Sequence, residues 1–126
     1  MPSNERITVS LRLLVVKTRR LEEVRAFYQS LGVALAPEQH GQGPLHYAGQ
    51  IGEAIFEVYP QQGDEVTDTS TRLGFAVDDL GRVLESLRAA GTPVISQAKA
   101  TPWGTRAVVR DPDGRAVELY QRGARP

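Results

Sequence analysis

The sequence predicts an α+β protein built from two βαβββ modules that share a cleft. Two stretches carry apolar residues at helical spacing, and each ends at a glycine, Gly32 or Gly91. Short runs with strand character surround both stretches in the same order. Because the second half of the chain repeats this order, we expect two similar modules within one domain of 126 residues.

The composition is typical of a globular protein and argues against several function classes. The chain is 40% hydrophobic and 24% charged, and its 15 Lys and Arg balance its 15 Asp and Glu. This balance gives no basic field for nucleic acid or a membrane surface, so we expect neither as a partner. No apolar run is long enough to span a bilayer, and residues 1–6 lack the apolar core of a signal peptide. The absence of cysteine excludes disulfides and thiolate chemistry, and a cytoplasmic location is the default expectation.

The first module is predicted to cover residues 7–60. It opens with a strand at 7–17, which is rich in β-branched residues. A helix follows at 20–30, where the apolar stripe consists of Leu21, Val24, Phe27, Tyr28 and Leu31. Further strands are expected at 33–36, 45–48 and 54–59, separated by a loop at 37–43 and a turn at 49–52.

The second module is predicted to cover residues 71–122, after a polar linker at 61–70. Asp78 or Asp79 is placed to cap its helix, which ends at Gly91. Trp103 lies in a loop, and the run Asp111-Pro112-Asp113-Gly114 predicts a tight turn. Strands are expected at 72–77, 92–97, 105–110 and 116–121.

A comparison of the two halves pairs equivalent positions. A shift of 59 residues lays Leu21 on Leu80, and a shift of 61 lays Glu57 on Glu118. Each sheet has one face under its helix and one face free. Two curved sheets with their free faces turned inward would make a cleft. The free faces carry Leu13, Glu57, Tyr59, Arg72, Gly74, Ala76, Glu118 and Tyr120.

These motifs and their order resemble the vicinal oxygen chelate superfamily of glyoxalases, bleomycin resistance proteins and extradiol dioxygenases. The matching motifs are LEEVRAFYQSLG at 21–32, FEVY at 56–59, PWG at 102–104, DPDG at 111–114 and VEL at 117–119. The resemblance implies the glyoxalase/bleomycin resistance/dioxygenase fold, in which two βαβββ modules form a U-shaped cleft. It also implies a homodimer, sometimes with modules exchanged between chains. It does not specify a reaction, since the superfamily includes lyases, epimerases, dioxygenases and non-catalytic binders.

The resemblance further implies four metal-ligand positions, on the first and last strands of each module. They fall on Leu13, Glu57, Arg72 and Glu118. Leu13 has no donor atom, and the guanidinium of Arg72 repels a cation. We therefore expect no metal and no other cofactor, and we interpret these positions as vestigial.

Arg72, Glu57 and Glu118 form the predicted centre of the cleft, and two interpretations are open. In the first, Arg72 takes the place of the metal, is held by one or both glutamates, and grips an anionic or carbonyl oxygen of a ligand. In the second, the trio is a residual ion pair that keeps buried carboxylates compensated.

Aromatic side chains are predicted to line the cleft beside this trio. Trp103, Tyr59 and Tyr120 offer apolar walls with polar tips, although core packing is the alternative for the tyrosines and a dimer contact for Trp103. Glu118 and His46 are the catalytic candidates, as general base or acid. For His46 the alternative is a packed or solvated strand histidine.

The resulting prediction is a small-molecule binding protein of the bleomycin resistance type that needs no metal. The alternative is a metal-dependent lyase, epimerase or dioxygenase with an altered ligand set, for instance one that recruits His46. A third possibility is a metal-free enzyme with Glu118 or His46 as its base.

Overall fold

The computed structural model describes residues 7–123 and gives each half of the chain one helix and four strands. The first module contains β1 (Leu13–Thr18), α1 (Leu21–Ser30), β2 (Ala36–Glu38), β3 (His46–Ile51) and β4 (Ala54–Pro60). The second module contains β5 (Leu73–Val77), α2 (Leu80–Ala89), β6 (Val94–Thr101), β7 (Gly104–Arg110) and β8 (Ala116–Gln121).

Each module forms one four-stranded mixed sheet. Sheet A has the strand order β1-β4-β3-β2, and sheet B has the equivalent order β5-β8-β7-β6. In both sheets the first and last strands of the module pair in parallel, while the other neighbours pair antiparallel. The predicted α+β fold with two βαβββ modules is confirmed.

The helices lie close to their predicted bounds. Asp79 caps α2, because its Oδ1 accepts a hydrogen bond from the backbone N–H of Arg82 at 3.1 Å. Gly32 and Gly91 follow the two helices with φ angles of 111° and 82°. Glycine adopts such positive φ angles without steric cost, so these two residues end the helices where the sequence indicated.

The helix-side faces of both sheets pack into one core. The ring of Tyr28 on α1 contacts Phe56 of sheet A and Phe75 of sheet B, with centroid distances of 5.0 and 5.9 Å. The two helices also contact each other. The opposite faces of the sheets therefore lie away from this core and stay open to solvent, with Leu13 52% and Val15 38% exposed.

A buried ion network joins the modules at the turn that follows β7. Arg115 is 0% exposed, and its Nη1 donates to Asp111 at 3.0 Å and to Asp113 at 3.1 Å. Its Nη2 donates to the carbonyl oxygen of Lys17 in β1 at 2.8 Å. The hydroxyl of Tyr28 donates to Asp111 at 2.7 Å. The Asp-Pro-Asp-Gly turn thus has a structural role that its sequence did not predict: it positions two carboxylates around a guanidinium that reaches sheet A.

The first strand is shorter than predicted, since the predicted strand at 7–17 is wrong for residues 7–12. The first register pair of β1 joins Leu13 to Ile55, and the N–H of Ile55 donates to the carbonyl of Arg12 at 2.9 Å. β4 begins at Ala54, so sheet A offers the preceding residues no strand to pair with. Strand propensity without a neighbouring strand does not form a sheet.

The second and third strands are also shifted from their predicted positions. β2 begins at Ala36, where the predicted strand ended, and β3 continues to Ile51 through the predicted turn. Pro37 is tolerated because β2 is the edge strand of sheet A. Gly49 marks a close backbone approach, since a Cβ there would lie 2.2 Å from the carbonyl oxygen of Ala34. β6 likewise extends past its predicted end at 97, because its polar residues pair with β7 at the sheet edge.

Candidate functional site

Glu118 lies on the free face of sheet B, at the middle of β8. Its neighbours Val117 and Leu119 point to the core and are 0% exposed. On the adjacent strands its register partners are Gly74 in β5 and Val108 in β7. The strand alternation that the sequence indicated therefore sets this carboxylate on the face opposite the helix.

Three side chains donate hydrogen bonds to the Glu118 carboxylate. The Nε of Arg72 donates to Oε2 at 2.7 Å. The Nε of Arg106 donates to Oε1 at 3.0 Å, and the hydroxyl of Tyr120 donates to the same oxygen at 2.8 Å. We call these four residues the Glu118 cluster. Both carboxylate oxygens are engaged, so the cluster is an assembled charge network on an open sheet face.

The cluster keeps Glu118 ionised far into the acid range. Hydrogen bonds from Arg72, Tyr120 and Arg106, in that order of importance, lower the pKa of the Glu118 carboxyl to about 2. The same contact raises the pKa of the Tyr120 hydroxyl, because the neighbouring carboxylate opposes its ionisation. A carboxylate with so low a pKa is a weak general base, so the geometry does not favour Glu118 as a catalytic base.

Arg106 is the member of the cluster that the sequence did not reveal. It lies on β7 opposite Tyr120 and shares the free face with it. Its side chain is 25% exposed, compared with 57% for Arg72. The available signal was its place in the strand predicted at 105–110, since alternation from a buried Ala107 turns Arg106 to the free face.

Glu57 lies in a different environment from Glu118. It occupies the equivalent position on β4, but its Oε2 lies 4.0 Å from the Nε2 of His46, and none of the described ion pairs joins it to Arg72. The expectation that one or both glutamates hold Arg72 is therefore met by Glu118 alone. The two carboxylates belong to two separate clusters, one in each module.

His46 and the tyrosine beside it form the other predicted part of the site. His46 is only 1% exposed and stacks on the ring of Tyr59 at a centroid distance of 4.0 Å. Burial and the carboxylates of Glu57 and Glu38 raise the pKa of the Tyr59 hydroxyl.

Trp103 lies at the β6–β7 turn and is 80% exposed, where it is open to a ligand or a partner chain.

The four positions that the resemblance assigns to a metal do not fit one. Leu13 has no donor atom, and the guanidinium of Arg72 is already bonded to Glu118 at 2.7 Å. Both oxygens of Glu118 accept hydrogen bonds from cations or from Tyr120. A metal ion at these positions would have to displace two guanidinium groups, so we derive no chemistry from one there.

A cavity of about 730 Å³ lies between the modules and is bordered by Arg72. This volume is within the range of small-molecule sites. Glu57, Glu118 and the predicted aromatic wall residues are not among its lining residues, so Arg72 is the link between the cavity and the Glu118 cluster. The apolar walls are formed mainly by Leu11, Leu14, Ile51, Ile55, Phe56, Leu73 and Phe75.

The fold defines a protein of paired βαβββ modules, with the Glu118 cluster on the free face of sheet B. The chain belongs to the Glyoxalase/Bleomycin resistance protein/Dioxygenase superfamily, whose family model matches residues 11–119. The resemblance seen in the sequence motifs is thereby confirmed.

Solved structures with the same fold cover nearly the whole chain. TnmS3, an antibiotic binding protein from Streptomyces sp. CB03234, is 25% identical with a TM-score of 0.72, and the match covers 93% of this chain and 98% of that one. The oxidase ChaP-H2 is 19% identical with a TM-score of 0.72, covering 92% and 95%. TioX from Micromonospora sp. ML1 is 19% identical with a TM-score of 0.68, covering 90% and 98%. A sequence comparison with curated proteins returned no significant match.

Among the residues that the structure describes, no helix is long and apolar enough to cross a membrane.

Proposed function

We propose that the protein binds a small molecule, with Arg72 as the anchor for an anionic or carbonyl oxygen and without a metal at the four family positions. The observation that carries this proposal is the Glu118 cluster, in which a carboxylate holds the Nε of Arg72 at 2.7 Å. Within residues 7–123 the Nη groups of Arg72 donate to no other residue, and its side chain is 57% exposed, so these groups are open to water or to a ligand. A guanidinium fixed through Nε keeps its planar fork for a bidentate contact.

The surroundings of Arg72 favour a ligand that is partly apolar. The cavity beside it is walled mainly by aliphatic and aromatic side chains, and a mixed apolar and charged lining is usual for small-molecule sites. Tyr59, Tyr120 and Trp103 supply further aromatic surface on the open faces and at the hairpin tip. The similarity to TnmS3, an antibiotic binding protein, supports an antibiotic as the class of ligand.

A second copy of the chain is proposed to complete the site as a homodimer. The free faces of both sheets are open in one chain, and Leu11, Leu13, Val15 and Ile55 are exposed on or beside sheet A. A closed cleft needs a surface over these faces, and a partner copy brings one with matching apolar area.

A cytoplasmic location stays a prediction from the sequence.

The test is binding of a small aromatic anion, 8-anilinonaphthalene-1-sulfonate, and of bleomycin, measured by titration calorimetry. We expect saturable binding of at least one of them, weakened about tenfold or more in Arg72→Gln, because a charge-assisted hydrogen bond contributes about 1.5–3 kcal/mol. Arg82→Gln is the matched control, since Arg82 is an exposed arginine on α2, on the helix side of sheet B and outside the Glu118 cluster. Equal affinities in wild type and Arg72→Gln, or no saturable binding of either compound, would contradict the proposal.

A further inference from the structure

A second cluster of ligand-type side chains lies in module one, on the β2–β3 hairpin. Glu38, His40 and His46 each offer one donor atom, and these three atoms lie within 4.8 Å of one another. Glu38 and His46 are a register pair across β2 and β3, and His40 follows Glu38 in the connecting loop. Sheet pairing therefore brings a buried imidazole and a carboxylate to one point, and an exposed loop residue adds a second imidazole.

His46 is built into this cluster with a fixed orientation. Its Nδ1 lies 3.1 Å from the carbonyl oxygen of Pro44, and a carbonyl only accepts, so Nδ1 carries the hydrogen. Its ring stacks on Tyr59 with an interplanar angle of 10°. A histidine whose Nδ1–H bonds a backbone carbonyl keeps its Nε2 lone pair available on the other side of the ring, which is the arrangement that orients metal-binding histidines.

The Nε2 of His46 is buried and has no hydrogen-bond partner. It faces the Oε1 of Glu38 at 3.4 Å and the Oε2 of Glu57 at 4.0 Å. A lone pair opposed to two carboxylates is unfavourable unless a positive charge lies between them. That charge is either a second proton on the imidazole or a bound cation.

The distances in the cluster suit a tetrahedral transition metal. Bonds of about 2.0–2.1 Å at tetrahedral angles place two ligand atoms roughly 3.3 Å apart. The Nε2 of His40 and of His46 lie 3.2 and 3.4 Å from the same oxygen of Glu38. The side chain of His40 is 71% exposed in a glycine-rich loop, so it can move the remaining distance toward His46. Glu57, whose Oε2 lies 4.0 Å from the Nε2 of His46, is the nearest further carboxylate.

We propose that Glu38, His40 and His46 bind a divalent transition metal ion of the Zn²⁺ type, with Glu57 as the nearest further carboxylate. Two imidazoles and a carboxylate are the donor set that Zn²⁺ accepts, whereas Mg²⁺ and Ca²⁺ prefer oxygen alone. Of the four positions that the resemblance assigns to a metal, only Glu57 borders this site. The proposed ligand contact of Arg72 does not depend on it, because the Glu118 cluster lies in the other module.

The experiment uses the tag-free, chelator-treated protein and titrates it with ZnCl₂ by calorimetry, with Co²⁺ absorption as a second readout. We expect one Zn²⁺ per chain and a visible Co²⁺ spectrum typical of tetrahedral coordination. Glu38→Gln and His40→Ala are the decisive variants, since both side chains are exposed and neither is part of the core. Each should weaken Zn²⁺ binding at least tenfold.

Glu53→Gln serves as the matched control, because Glu53 is an exposed carboxylate of the same module outside the cluster. It should bind Zn²⁺ as the wild type does. The proposal is overturned by the absence of stoichiometric Zn²⁺ binding to the wild type. It is equally overturned by Glu38→Gln and His40→Ala proteins that bind Zn²⁺ as tightly as the control.

Discussion

At the scale of single residues, the electrostatic surroundings of Glu118 decide what this carboxylate can do. Two guanidinium groups and a phenol bond its two oxygens, and its side chain is 20% exposed. This arrangement stabilises the charged form and lowers the pKa to about 2. Glu118 therefore acts as an anion that holds the guanidinium groups of Arg72 and Arg106 in place. Of these two side chains, Arg72 is the more exposed to solvent.

The first prediction concerns Glu118→Gln and the acid stability of the fold. Since the folded-state pKa lies below the value of an unfolded glutamate, the charge stabilises the fold above about pH 5, and this contribution is lost as the pH falls toward 2. We expect the variant to lose roughly 1–2 kcal/mol of unfolding free energy at pH 7, since partial exposure screens the interaction. Urea denaturation of both proteins between pH 7 and pH 2 measures the difference in unfolding free energy at pH 7 and its decrease toward pH 2.

Glu85→Gln provides the comparison for this experiment, because Glu85 is exposed on α2. Its stability should follow that of the wild type across the pH range. If Glu118→Gln shows the same decline between pH 5 and pH 2 as the wild type, the cluster does not contribute the stability that we assign to it.

Part of this residue-scale picture could be predicted from the sequence. The ligand positions that the resemblance implies grouped Arg72 with Glu57 and Glu118, and the structure shows Glu118 as its partner. Arg106 and the carboxylate–histidine cluster escaped prediction, since they depend on register between strands. Register is set by turns and packing and not by the residues that end up opposite each other.

At the scale of elements, the sequence located the helices and the last strand well and the short strands of module one poorly. Apolar stripes and terminal glycines are local signals, so α1 and α2 were found. The bounds of β2 and β3 follow from a tertiary contact, in which the backbone at Ala34 passes close to Gly49. The sequence alone does not distinguish a glycine that permits a close approach of another backbone segment from a glycine that forms a turn.

The second prediction uses this distinction between two strand glycines. Gly49→Ala should lower the free energy of unfolding by about 3 kcal/mol or prevent folding, because its Cβ would lie 2.2 Å from the carbonyl oxygen of Ala34. Gly74→Ala should change it by no more than about 0.5 kcal/mol, since its Cβ would meet the nearest atom of Glu118 at an ordinary 4.0 Å. Thermal and urea unfolding followed by circular dichroism compare the two. Similar losses of unfolding free energy in both variants would contradict the interpretation that the close approach of the Ala34 backbone explains the glycine at position 49 of β3.

At the scale of the whole molecule, the two modules are held together from one side. Their helix-side faces share the Tyr28, Phe56 and Phe75 contacts, and Arg115 ties the turn before β8 to β1. Both clusters of charged side chains lie on the opposite faces, which one chain leaves open. A binding site built on these faces is incomplete until another surface covers them, which is why the proposed function and the proposed dimer belong together.

In the proposed dimer, we expect the second copy to contact the exposed apolar row of residues 7–15. Ile7, Val9, Leu11 and Leu13 alternate with polar residues, and Val15 continues the row beyond Leu14. The exposure of these side chains falls from 101% at Ile7 to 38% at Val15. A row of this kind is costly in water, since burying each such side chain contributes about 1.5–3 kcal/mol. It has the alternation of a strand and lacks a partner strand within its own sheet before Leu13.

The last prediction therefore concerns Leu13→Glu and the oligomeric state. The wild type should sediment at about twice the chain mass of 13.8 kDa at micromolar concentration, and Leu13→Glu as a single chain with unchanged circular dichroism. A carboxylate at this position would be desolvated in the interface, and it is free in water in the monomer, so the dimer alone is destabilised. Val66→Glu is the control, since Val66 is 94% exposed in the connection between the modules and should leave the mass unchanged. A monomeric wild type, or a Leu13→Glu protein as dimeric as Val66→Glu, would show that a second copy does not cover the free faces.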